Sequence, residues 1–341
     1  MLTPKPTFWQ VSSGRAGRDY SDIFLAHDVM FIGPGDRGIY SPTEYSGIRS
    51  LQLFHDAVKP GDVVLMRRGE RVVAIGRVHL GEYHHLSAFD DIYGWDLQHT
   101  RRVLWEKLEA PLTLFKSPRM DRFSQVQDIP TDLKERITKA KSREHNPLPD
   151  APSTCLTAVD FLSHLEKELT NAVEVYELLE RHRELLGWYR QDKALLPNEH
   201  EIVAYLVVPL LRALGWSEKQ LALEWALGEN KDPSGKKGRA DLAAFTAPSR
   251  AREHCVMLCE VKALAFGLGN TLPQPKDYAL KLPNCRRIVT TQGSRFGIYL
   301  RNADDTWPDI PNHYLNIERP RLKHAFPKGT NSVAALSALR P

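Results

Sequence analysis

A run of prolines, Asn146-Pro-Leu-Pro-Asp-Ala-Pro152, cuts this chain into two parts that no single helix or strand pattern can bridge. Proline lacks a backbone N–H and fixes φ, so the run forbids a helix and stiffens an extended connection. The 341 residues leave enough chain on either side for a domain of ordinary size. With 42% hydrophobic and 26% charged residues, the chain is too apolar to remain disordered, and compact cores are expected. The divisions expected are 1–116, a linker with a bracing helix over 117–195, and 196–341. The fold class expected is a two-domain chain, α+β or α/β.

Composition removes several classes of function. No stretch approaches the ~20 apolar residues of a membrane span, and the opening Met1-Leu-Thr-Pro-Lys-Pro lacks the layout of a signal peptide, so a soluble, cytoplasmic protein without a membrane partner is expected. Four cysteines, Cys155, Cys255, Cys259 and Cys285, form no C-x-x-C pair and are read as buried apolar thiols. The 13 histidines include His84-His85 but no zinc spacing, so no structural metal is assigned. A net charge of +4 permits nucleic-acid contact without demanding it; Arg286, Arg287, Arg295, Arg301, Arg319, Arg321 and Lys323 bias the C-terminal end.

Periodicity differs on the two sides. Up to about Phe115, short β-type runs (Phe8 to Val11, Val29 to Ile32, Asp62 to Met66, Val72 to Val78) predict a small, mostly β barrel, with a hairpin turning at Arg68-Gly69-Glu70. Beyond the prolines, apolar residues from Leu156 to Leu179 recur at three- and four-residue steps and predict one amphipathic helix. A second helix is predicted from its cap at Asn198 to Gly215. Strands follow over Leu221 to Ala226, Arg239 to Phe245, Cys255 to Val261, Arg287 to Thr291 and Gly297 to Leu300, with a helix from Lys276 to Leu282 between the third and fourth.

The stretch that carries chemistry is Gly238-Arg-Ala-Asp241 followed about 19 residues later by Glu260-Val-Lys262. Each acid ends an apolar run, where a charge without a purpose is costly. If the two strands pair, the carboxylates converge on one divalent cation, and hard oxygen ligands suit Mg²⁺. Lys262, two residues beyond Glu260, points to the same strand face. A cation-held phosphate beside a lysine is a phosphodiester-hydrolysis arrangement. Glu-x-Lys alone is weak, since about one copy arises by chance at this length; the bland alternative is a salt bridge on a strand.

The region from about 195 to 330 resembles the PD-(D/E)XK nuclease superfamily, and within it the nuclease domain of type I restriction enzyme motor subunits. Four pieces match in order: Asn198-Glu199-His-Glu201 leading to Val208-Pro209-Leu-Leu, then Arg239-Ala-Asp241, then Glu260-Val-Lys262, then Gln274-x-x-x-Tyr278. The resemblance implies a mixed sheet flanked by helices and Asp241, Glu260, Lys262, Glu199 or Glu201, Gln274 and Tyr278 as catalytic. It implies a metal held at Asp241, Glu260, Val261 and Glu199, Mg²⁺ with Mn²⁺ as a substitute. Ala240 stands where the superfamily has proline, and Pro273 and Pro275 flank Gln274. The chain has no G-x-x-x-x-G-K-[ST] loop, so no ATP is expected to be used.

Residues 5 to 115 resemble PUA-like domains of the EVE and YTH type, on the order of Phe8-Trp9, Tyr20 to Phe24, Met30 to Gly35, Gly61 to Met66 and Ile75 to Val78. That resemblance implies an aromatic pocket for one modified base, for which the candidates are Trp9, Ser12, Ser13, Tyr20, Tyr83, Asp90, Trp95 and Trp105; core packing is the bland alternative for each aromatic. Arg15, Arg18, Arg101, Arg102 and Arg239 are candidate phosphate contacts. Together the two likenesses predict a modification-dependent restriction endonuclease acting on double-stranded DNA with a modified cytosine in phage defence. Counting active sites predicts a homodimer or a transient pair on DNA. An RNA-directed nuclease and a non-catalytic sensor are the rival readings.

Overall fold

A computed structural model describes residues 6–15, 18–35, 37–92, 94–113, 122–127, 143–231, 237–264, 267–268 and 271–341. The protein is a mixed α/β chain that divides into two compact units, Met1–Ala151 and Pro152–Pro341. No helix among the described residues is long and apolar enough to cross a membrane.

In the first unit the strands are β1 (Phe8–Arg15), β2 (Arg18–Asp19), β3 (Val29–Ile32), β4 (Val63–Arg68), β5 (Arg71–His85), β6 (Asp90–Ile92), β7 (Trp95–Asp96), β8 (His99–Thr113) and β9 (Phe123–Gln125). Two short helices, α1 (Ser21–His27) and α2 (Arg49–Asp56), interrupt them. The main sheet runs β2-β1-β4-β5-β8-β3, with β9 added on β1. β1 and β4 are parallel and the other neighbours antiparallel. Arg68 pairs with Arg71, so the hairpin turns through Gly69-Glu70, with Gly69 at φ +62. β5 extends to His85, beyond the expected end at Val78, and its register against β8 shifts twice; such bulges curl the sheet into a half-barrel. Its hollow is filled by rings: Trp9 stacks on Phe123 at 5.1 Å, and Phe24 meets Phe31 edge-on at 4.6 Å.

At the end of this unit the proline-rich segment is anchored by a buried acid. Asp28, in the left-handed region at φ +48, accepts hydrogen bonds from Arg143 Nη1 (2.5 Å), Arg143 Nη2 (2.6 Å) and the Asn146 N–H (2.8 Å). Burial works to raise its carboxyl pKa, and these donors more than reverse that, leaving it below the ordinary value.

The second unit has one six-stranded sheet in the order β10 (Leu221–Lys231), β11 (Lys237–Phe245), β12 (Cys255–Val261), β13 (Arg287–Thr291), β14 (Arg295–Leu300), β15 (His313–Asn316). Only β12 and β13 run parallel. The single helix expected from Leu156 to Leu179 is two, α3 (Ala158–Glu168) and α4 (Ala172–Tyr189). Leu169 is extended between them (φ −126, ψ 130), and Asn171 sits at the start of the second, whose side chain donates to the Ala213 carbonyl at 2.6 Å. Both belong to this unit's core, since Phe161, Leu165, Val175, Leu179 and Leu186 pack with Ile202, Leu206, Leu242, Val289 and Leu336.

The next helical stretch is α5 (Glu199–Ile202), a π turn over Val203–Val207, and α6 (Val208–Ala213). Pro209 has no N–H to give to the carbonyl four residues back, and the widened turn just ahead of it accommodates the ring. α7 spans Pro273–Ala279, three residues earlier than expected at either end. Pro273 and Pro275 occupy its first turn, where no intrahelical N–H is required, so the helix starts at them. α8 (Ser332–Ala338) packs into the same core through Val333, Ala335 and Leu336. Of the cysteines, Cys255, Cys259 and Cys285 are buried as expected, but Cys155 is exposed.

Candidate active site

Leu242 pairs with Cys259 across β11 and β12, and Ala243 with Leu258. The same register sets Asp241 opposite Glu260, so two acids separated in sequence become neighbours at one end of the strand pair. Asp241 Oδ2 accepts the Val261 N–H at 2.6 Å. Lys262 Nζ donates to Glu260 Oε1 at 2.5 Å and stands 3.9 Å from Glu199 Oε1. β13 steadies the lysine's backbone, because Lys262 N–H donates to the Thr291 carbonyl at 2.8 Å.

The choice between the two helix acids has a geometric answer. Glu201 completes a capping box: its Oε2 accepts the Asn198 N–H at 2.8 Å while its own N–H donates to Asn198 Oδ1 at 3.0 Å. Glu199 is the acid that faces Lys262. Asn-x-x-Glu is itself the sequence signature of a capping box, so this division of labour was readable.

The electrostatics are those of an acid pair that one ammonium compensates only in part. Glu260 is 2% exposed; burial, the Asp241 charge and the Glu199 charge outweigh its bond to Lys262 and push its pKa up to about 7. Burial also raises Asp241, with Glu199 and Glu224 adding to it, against the Val261 N–H and Lys262. Burial pulls Lys262 down, but Glu260, Glu199 and Asp241 together hold it above its ordinary value.

Among the described residues, no three His, Cys, Asp or Glu side chains are gathered into a ready-made metal cage. Mg²⁺ does not require one, since it binds through one or two carboxylates and completes its octahedron with water and substrate phosphates. Two hard, repelling carboxylates at one spot therefore fit a small dication in donor chemistry. A closed tetrahedral zinc site would not fit them.

Gln274 and Tyr278 lie one turn apart on α7, with Gln274 Nε2 3.4 Å from the Tyr278 hydroxyl. A Cβ on Gly238 would stand 3.1 Å from the Tyr278 ring, so the ring lies close over the strand leading to Asp241 and would have to give by a few tenths of an ångström to admit a side chain there. Arg239 is exposed and its Nη1 is 3.3 Å from Glu224 Oε2. Glu224, an acid inside the apolar run Leu221 to Ala226, was not singled out from the sequence, although its position there was the available signal.

The base-pocket candidates scatter. Ser12, Tyr20 and Trp95 line one cavity of about 80 Å³, together with Gly14, Phe31, Ile32, Gly33, Leu97 and Arg122. Arg122 Nη1 donates to the Gly33 carbonyl at its edge at 3.1 Å. Trp9 is core instead, its Nε1 donating to Asp62 Oδ2 at 2.8 Å, and so is Trp105, whose Nε1 donates to the Val29 carbonyl at 2.7 Å. Ser13 is buried with its hydroxyl on the Arg67 carbonyl. Tyr83 belongs to a separate cluster, its hydroxyl 2.5 Å from His99 Nδ1, and Asp90 pairs with Asp96 between β6 and β7. Arg101 is buried and donates to the carbonyls of Phe54 and His55, which turns its guanidinium inward, away from a phosphate; Arg102 is half-buried and donates to the Asn146 carbonyl. The side chains of Arg15 and Arg18 lie outside the described residues.

No family model and no curated protein matches the chain. Among solved structures, it is similar to a fragment of a putative HsdR subunit of a type I restriction enzyme from Vibrio vulnificus YJ016. The two share 20% identity over 39% of this chain and 25% of that one, with a TM-score of 0.27. A TM-score at this level bears on neither fold nor activity, and the match spans a quarter of that chain's length.

Proposed function

We propose that the chain is a Mg²⁺-dependent endonuclease of the PD-(D/E)XK type whose first unit, a PUA-like module, selects double-stranded DNA carrying a modified cytosine. The observation that carries the nuclease reading is the meeting of Asp241, Glu260 and Lys262 at one end of the β11–β12 pair, with Glu199 beside them. Asp241 and Glu260 would hold the dication, which supplies charge neutralisation at the phosphate and a more acidic water. Lys262 would orient the attacking water and stabilise charge developing on the phosphate oxygens. Glu199 keeps the ammonium turned toward the site. The four sequence pieces that resemble the superfamily support the same assignment.

The reading of the first unit rests on less: a small cavity with Tyr20, Phe31 and Trp95 in its lining, suited to one flat ring and too small for a base pair. One site per chain implies two copies for a double-strand break.

The test is cleavage of matched duplexes carrying cytosine, 5-methylcytosine, 5-hydroxymethylcytosine or its glucosylated form, in Mg²⁺ and in chelator, with Lys262→Ala as control. Cutting confined to one modified duplex and lost in the variant is the expected result. Equal cutting of all four would remove the base reader and keep the nuclease. Cutting of RNA alone would move the substrate, and no cutting of either would leave a sensor.

A further inference from the structure

Glu224 is a third acid in the row that contains Asp241 and Glu260. In β10, Leu223 pairs with Leu242 and Trp225 with Ala240, so Glu224 stands opposite Asp241, on the side away from Glu260. Its backbone is at φ +49, the left-handed region, where a side chain is strained and glycine or asparagine is favoured. Strand alternation breaks at this point: Ala222 and Trp225, three residues apart, pack in the same cluster, as do Ala240 and Ala243 across from them. Both strands therefore change face at the Glu224–Asp241 pair.

Nothing structural repays that strain. The carboxylate of Glu224 is 39% exposed; it meets Arg239 Nη1 at 3.3 Å and His200 Nδ1 at 3.5 Å. Exposed pairs of this kind contribute little, less than a left-handed non-glycine residue costs. What the contacts do achieve is positional. Arg239 is two residues from Asp241 on the same strand, so the Glu224 carboxylate holds a guanidinium next to a site acid. Strain held beside a reactive centre without a stabilising return is the mark of a residue kept for function.

We infer that Glu224 is a positioning residue that holds the Arg239 guanidinium beside Asp241 to receive a substrate phosphate. The inference rests on the nuclease reading of the site.

Glu224→Gly, Glu224→Asn, Arg239→Ala and the double variant Glu224→Gly/Arg239→Ala test it in the full chain. Three quantities are measured: Tm, duplex-DNA affinity in chelator over a salt series, and Mg²⁺-dependent kcat and KM. Glycine and asparagine relieve the backbone, so Tm stays level or rises by roughly a few degrees. Affinity falls about fivefold and the salt slope shallows by about one charge, as for Arg239→Ala. The fall in kcat/KM is about tenfold, carried mainly by KM, and the double variant is no worse than Arg239→Ala alone. A purely structural role predicts the opposite pairing, in which activity follows Tm. Variants that bind and cut as the parent does, lose Tm in both the Gly and Asn forms, or multiply with Arg239→Ala would overturn the inference. Lys262→Ala separates the two failures. If it is dead while Glu224→Gly is fully active, only the role of Glu224 falls; if the parent does not cut, or cuts no better than Lys262→Ala, the nuclease reading and this inference fall together.

Discussion

Asp241 and Glu260 are two like charges facing each other across one strand pair, one of them almost wholly buried, with a single ammonium between them and Glu199. Such a pair destabilises the fold in the absence of a cation, and under the proposed reading it is kept for the dication it would hold. Asp241→Asn keeps an oxygen for the Val261 N–H but removes one of the charges. It should raise Tm by roughly a few degrees in chelator, abolish the further rise produced by Mg²⁺, and reduce cleavage by at least about a hundredfold. Thermal melts with and without Mg²⁺ beside a cleavage assay check all three, and a lowered Tm in chelator would mean that the acids are not in conflict. At this scale the sequence was informative where charge interrupts an apolar run, as at Asp241 and Glu260. It was silent on Arg101, whose guanidinium is consumed by the Phe54 and His55 carbonyls, because long polar side chains look alike in a sequence whether they reach outward or inward.

Elements were legible where their signals are local. The cap at Asn198, the glycine after α6 and the strands over the apolar runs of β11 and β12 all appear as expected, whereas the break between α3 and α4 lies inside an unbroken apolar period. The π turn ahead of Pro209 has the same character: a proline announces that the ladder must yield, but not how. Gly293 shows how closely that turn is held. It lies at φ +87, and a Cβ there would stand 2.6 Å from Leu206 Cδ1 and 3.0 Å from Ile202 Cγ2, against the helix that carries Glu199. Gly293→Ala should cost about 1–2 kcal/mol from the backbone alone, read as a shift in urea midpoint with unchanged m. Because Leu206 must also move, cleavage should fall by more than the lost stability explains. Equal midpoints for variant and parent would show that the turn relaxes freely.

For the whole molecule, the prolines up to Pro152 mark where one unit ends and the next begins, but strand order within each sheet had no local signal, since β1 lies parallel to β4 and β12 to β13 through long-range pairing. The two units also differ in how acid should act on them. Burial holds His99 in the first unit and His182 in the second down to about 4, below the ordinary 6.5. The unfolded chain takes up those protons as pH falls below 6.5 while the folded one does not, so each histidine removes stability between pH 6.5 and 4, about 3 kcal/mol at full extent. In the first unit Asp28 acts in the same direction at lower pH, because its depressed carboxyl loses the Arg143 clamp on protonation. The second unit contains an opposing group. Glu260, raised to about 7, takes up its proton on folding between pH 7 and the ordinary carboxyl range, so in the absence of metal it adds stability as pH falls over much of the interval in which His182 removes it. Chelated protein titrated from pH 7 to 4.5 should therefore lose the stability of its first unit while that of the second changes little. Glu260→Gln should make the second unit acid-sensitive, and His182→Gln should make it more stable at low pH than at neutral. Hydrogen exchange followed separately in residues 6–113 and 152–341 across this range distinguishes the units; equal acid loss in both, unaltered by Glu260→Gln, would show that Glu260 is not held near neutrality by its buried neighbour.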